Sequence, residues 1–185
     1  MAGTLTVQNL QGPSTGANAN KIIIPSGQTL DVSGGTLTPS AGQVIQTVNV
    51  SEVSALQTTS TSMQTVTFAN ITPSTTSNAI LINVNAMVYK NNTNGGSGGA
   101  ANFLISANNV SIPEAQWTQD TNTANYIYWT DSASSLNFIY HFSRTYLHFP
   151  SSTSQQTIRF RVRSVAGGEI YIYPGAQLIL QEIAQ

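Results

Sequence analysis

Cysteine is absent from this 185-residue chain. That excludes a disulfide framework and a thiolate metal site, and leaves stability to packing or assembly. Charge is almost as scarce: Lys, Arg, Asp and Glu make up 7% of residues, against roughly 25% in ordinary globular chains. The net charge of −1 offers no field to attract phosphates or anionic lipid, so nucleic acid is not an expected partner. Basic residues cluster no more densely than the alternating Arg159, Arg161 and Arg163. The opening MAGTLTVQNL lacks a basic n-region and a long apolar h-region, and no run approaches the roughly 18 apolar residues of a spanning helix. A soluble product made in the cytoplasm, without membrane insertion, is the expectation.

What the chain does have is Ser, Thr, Asn and Gln for solubility and 40% hydrophobic residues, enough for a core. Its texture changes near residue 42. Before that point short β-like pieces (LTVQNL, KIIIP, TLDVSG, TLTP) are cut by Gly12-Pro13, Pro25-Ser26-Gly27, Gly34-Gly35 and Pro39. Such a leader cannot build a core alone. From Gln43 onward the pieces lengthen into ten strand-like runs, from VIQTVNV to QLILQEIA, with no capped helical periodicity.

Alternation is explicit in two of these runs. In TIRFRVRS, Ile158, Phe160 and Val162 share one face and Arg159, Arg161 and Arg163 the other, which predicts a strand with one buried side. In AILINVNAMVY, Ile80, Ile82, Val84, Ala86 and Val88 face one way. Leu81, Asn83, Asn85, Met87 and Tyr89 face the other, a half-polar surface that something else should cover. Eight to ten antiparallel strands in about 140 residues predict an all-β fold, an antiparallel β-sandwich of jelly-roll type over 43–185, preceded by the leader 1–42.

The runs SGQTLDVSGGTL, AGQVIQTVNV, ITPSTTSNAILINVNAMVY and LILQEIAQ resemble segments of tail-fibre and related virion proteins of tailed bacteriophages, particularly those of marine and cyanobacterial hosts. The resemblance implies a β-rich leader, a compact jelly-roll domain and a homotrimer. It carries no catalytic residue. A structural virion protein follows as the expected function: a short fibre, a spike tip or a capsid decoration, docked to other virion proteins through residues 1–42 and localised in the virion. Long fibres run to many hundreds of residues, so this chain is short for one. In a trimer, Ile22, Ile24, Leu30, Val32 and Leu37 of the leader can meet on the threefold axis, and Met87 and Tyr89 of the sandwich can join the interface. The other reading of the leader is a linker, or a peptide that folds on its docking site.

Chemistry-bearing residues are few. His141 and His148 lie in apolar runs near Ser143 and Asp131, but no nucleophile-elbow signature surrounds Ser143, and structural histidines explain both sites. No enzymatic activity, metal or cofactor is expected. The GGSGG at 95–99 lacks the Lys and helix of a phosphate loop and reads as a loop tip. Aromatic residues concentrate at Trp117, Tyr126, Tyr128, Trp129, Tyr140 and Tyr146. Flat rings with a polar handle suit a sugar face, and the same residues suit a core or subunit interface. An adhesin that binds host surface glycan through Trp117, Tyr126, Tyr128 and Trp129 is therefore the alternative function. The arginine row is a solvated face, a partner for neighbouring carboxylates, or a contact for acidic sugar.

Overall fold

The computed structural model describes residues 13–17, 19, 22–29, 39–91, 99–112, 126–129, 138–164 and 169–185, with backbone alone at 90, 91, 99, 100, 111, 126–129 and 138. The chain divides into two units, Met1–Thr38 and Pro39–Gln185.

In the first unit the described residues form turns rather than strands. Gln28 N–H donates to Pro25 O at 3.1 Å, closing a turn in which Gly27 sits at φ +79°, a value that favours glycine. KIIIP, expected to be β-like, has no ladder partner at Ile22–Ile24 among the described residues. These residues are 48%, 55% and 41% exposed. A strand exists only through its pairing, so β-branched composition alone does not place them in a sheet.

The second unit is all β, with no helix among the described residues. Its strands are β1 (Val44–Glu52), β2 (Leu56–Thr58), β3 (Gln64–Ile71), β4 (Ala79–Asn91), β5 (Gly99–Ala107), β6 (Val110–Ser111), β7 (Tyr126–Trp129), β8 (Phe138–His148), β9 (Gln156–Ser164), β10 (Glu169–Ile172) and β11 (Ala176–Ile183). All pair antiparallel, in two sheets.

Several of these strands are fragments of longer ones. β10 and β11 lie end to end along one edge of β4, and β1 and β2 lie end to end along β11 and β10. The pairing of Glu52 with Ala176 and of Leu56 with Ile172 keeps one register across the gap. Gly175 N–H donates to Glu52 O at 2.7 Å between them. In the other sheet β6 and β7 share the edge of β5 that faces away from β9. Counted this way each sheet is four strands wide: β1/β2–β10/β11–β4–β8 against β3–β9–β5–β6/β7. With β1/β2, β6/β7 and β10/β11 each taken as one strand, the chain crosses between the sheets at every connection except that from β5 to β6/β7, and the last strand returns beside the first, which is the double Greek-key connectivity of a jelly roll.

The core is the set of inward rows. Ile80, Ile82, Val84, Ile158, Phe160 and Val162 are all 0% exposed, as the alternation predicts. Phe103 and Phe160 of one sheet and Phe142 of the other stack with centroids 4.7 to 5.9 Å apart, tying the two layers together. Tyr140 and Tyr146 pack against the edge of this core. LNFIYHF and TYLHF belong to one strand: β8 follows β4 without a register break from Phe138 to His148. The polar Ser143-Arg144-Thr145 that separates them in sequence sits at exposed positions, where polarity does not interrupt a ladder.

Candidate functional site

Three surfaces of the sandwich carry polar chemistry. On the outer face of the β3–β9–β5 sheet, Arg159, Arg161 and Arg163 stand in a row, each half-buried. Their cross-strand neighbours on β5 are Ser106, Leu104 and Asn102. These face away from the core yet are 0%, 9% and 0% exposed. Arg161 donates from Nη2 to Met63 O at 3.2 Å. Among the described residues, the buried Nε atoms of Arg161 and Arg163, both amide atoms of Asn102 and Ser106 Oγ have no hydrogen-bond partner. Phe68, paired with Arg159 from the β3 side, is 53% exposed.

The outer face of the β4 sheet is different. Its centre is a cross-strand hydrogen-bond ladder: Ser143 Oγ donates to Asn85 Oδ1 at 2.8 Å, and Thr145 Oγ1 to Asn83 Oδ1 at 2.7 Å. One end carries an aromatic group, with Tyr173 edge-on to Tyr89 at 6.3 Å and to Tyr171 at 4.9 Å. Met87, half-buried, is paired with the exposed His141. The Ser143 hydroxyl, considered from sequence as a nucleophile, thus gives its proton to an amide oxygen.

The third feature is an end of the sandwich built around Glu182, a carboxylate at 0% exposure. Its Oε1 accepts from Ser74 N–H at 2.6 Å, Ser74 Oγ at 2.8 Å and Asn78 Nδ2 at 2.7 Å, and Oε2 accepts from Gln46 Nε2 at 2.6 Å. Burial alone pushes the carboxyl pKa up, but these donors favour the ionised form and together hold it below the ordinary value. Glu182 therefore fastens the 72–78 loop to the C-terminal strand.

The sequence-predicted residues disperse over these surfaces. Met87 and Tyr89 lie on the outer face of the β4 sheet. Ile22 and Ile24 are exposed in the first unit. Leu30, Val32, Leu37, Trp117 and Asp131 lie outside the described residues. The β7 register pairs Tyr126 with Asn102 and Tyr128 with Ala100, in the rows that continue from the arginine face, and Trp129 with Gly99. Gly99 itself opens β5, so the GGSGG segment is not wholly loop. No group of three or more His, Cys, Asp or Glu residues is placed to hold a metal among the described residues. No helix is long and apolar enough to cross a membrane among them. Asn102, Ser106, Phe68 and Glu182 were not singled out from sequence; the signal for each was its parity within a strand.

No protein-family description matches the chain, and comparison with curated proteins finds no similar sequence. Solved structures align over most of it at low identity. Dimeric latent PorU from Porphyromonas gingivalis is 8% identical with a TM-score of 0.42, over 90% of this chain and 15% of that one. The T13 particle of infectious bursal disease virus is 13% identical with a TM-score of 0.38, over 87% and 40%. The VP2 subviral particle of the same virus is 11% identical with a TM-score of 0.32, over 92% and 48%. The chain spans less than half of each, and likenesses of this strength assign it no function.

Proposed function

We propose that the chain is a structural virion protein of a tailed bacteriophage, a trimeric short fibre, spike tip or capsid decoration. Residues 1–42 dock it to the particle and the jelly-roll domain projects. The observation that carries the reading is the pairing of a self-contained jelly-roll sandwich with a separate N-terminal unit that exposes Ile22, Ile23 and Ile24. Segments of the same chain resemble virion proteins of that class, and a surface poor in charge suits a part that is held by packing and backbone hydrogen bonds.

The test is particle association. Phage particles purified from infected cells that supply the tagged full-length chain should incorporate it, whereas the chain lacking residues 1–42 should stay in the soluble fraction. A full-length chain that never co-purifies with particles would contradict the proposal. A second reading, an adhesin for host surface glycan, is favoured by the register that sets Tyr126 and Tyr128 beside Asn102 and Ala100. A glycan array probed with the full chain separates the two.

A further inference from the structure

We propose that the outer face of the β3–β9–β5 sheet is a binding site for an acidic polysaccharide, with Arg159, Arg161 and Arg163 as its charged row. The proposal is independent of where on a particle the protein sits.

The row concentrates half of the chain's six basic residues on one strand. Among the described residues no carboxylate pairs with any of the three, and the only hydrogen bond from the row is the one from Arg161 to Met63 O. Guanidinium groups held half-buried without a counter-ion create an anion site, because their forked donors match carboxylate and sulfate oxygens. Residues two apart on a strand are separated by roughly 7 Å, so the row is a strip of about 14 Å and not a single pocket. That shape fits a linear polymer with recurrent anionic groups.

The neighbouring Phe68 favours sugar over peptide, since the polar residues paired with Arg163 and Arg159, Asn102 and Ser106, are fully buried and offer a ligand no atom. Phe68 presents a half-exposed ring next to Arg159, on which the C–H face of a pyranose can stack. An acidic peptide would satisfy the guanidinium groups but would leave the ring with nothing specific to do. An extended peptide is also captured most readily at a sheet edge, where backbone groups are free, and this is a face.

Alginate, a polyuronate, is the probe, titrated calorimetrically against the full-length protein at low salt, with neutral dextran and polyglutamate alongside. The expected result is binding of alginate that weakens as salt is added, no binding of dextran, and clearly weaker binding of polyglutamate. R159Q/R163Q, which leaves the Arg161–Met63 hydrogen bond in place, should lower alginate affinity at least tenfold. R159K/R163K should fall between it and the parent, since charge is kept and the fork is lost. Should the glutamine double variant not fold, R159Q alone, at a residue with no hydrogen bond to lose among the described residues, should weaken binding severalfold. Phe68→Ala should weaken alginate binding and leave that of polyglutamate unchanged. Absence of alginate binding, or variants that bind as the parent does, would overturn the proposal. Equal affinity for polyglutamate would also overturn it and assign the face to an acidic protein segment. None of these outcomes bears on particle association, which depends on residues 1–42.

Discussion

Phe160 packs against Phe103 and Phe142, 5.9 and 5.3 Å from their centroids, and is 0% exposed. It joins the two sheets, and its position follows from simple alternation in TIRFRVRS. Truncating Phe160 to Ala should cost about 3–5 kcal/mol, the usual range for a buried aromatic, read as a lowered urea midpoint with an unchanged slope. Glu182 belongs to the same kind of pattern: alternation carries Leu178 and Leu180 into the core and carries Glu182 with them. Its inward parity was legible, but its donors lie 104 to 136 residues away, and no local feature announces them. Glu182→Gln turns an acceptor into a donor opposite Gln46 or Asn78, so a loss of about 1–3 kcal/mol is expected. The pH dependence has a definite sign. Because the folded pKa lies below the ordinary value, ionised Glu182 stabilises the fold above that value, and the contribution disappears as pH falls through the folded pKa. Urea midpoints across the acid range should show this decline in the parent and a shallower one in Glu182→Gln.

At the scale of elements the sandwich depends on how its strands are broken. β1/β2 is interrupted at Val53-Ser54-Ala55 and β10/β11 at Tyr173-Pro174-Gly175, side by side, so the two neighbours bend together. Gly175 adopts φ +94°, and a Cβ there would meet no atom within 4 Å. Any penalty for Gly175→Ala therefore comes from the backbone, about 1–2 kcal/mol. A thermal melt lowered by a few degrees with unaltered circular dichroism would agree, whereas an unchanged melt would mean the turn relaxes freely. Long alternating strands such as β4 and β9 were legible because one face is apolar along the middle of the strand, Ile80 to Val88 and Ile158 to Val162. β6 was not, since two residues hold too little pattern, although the Asn108-Asn109 turn before it, with φ of +49° and +69°, has the residue type that a tight hairpin turn requires. Sheet order was legible only as a class, because pairing partners such as Gln46 and Glu182 are set by packing across the whole domain.

For the whole molecule the open matter is what covers its remaining apolar surface. Leu178 and Leu180 of the last strand are fully buried. Ile139, Leu147 and Phe149, on or beside β8, are 59%, 39% and 51% exposed. β8 pairs only with β4 among the described residues. Arg144 of β8, exposed with its guanidinium carbon 5.4 Å from the Phe142 ring, is the kind of edge-strand charge that discourages open-ended pairing. A closed ring of subunits covers the edge without leaving another exposed, and three is the number the sequence resemblance implies. The interface should be mainly apolar and hydrogen-bonded, so moderate salt should not dissociate it. Multi-angle light scattering of the purified full-length protein at micromolar concentration measures this directly. The account predicts a mass near three times the 19.6 kDa chain, unchanged by moderate salt; a mass at the single-chain value would contradict it.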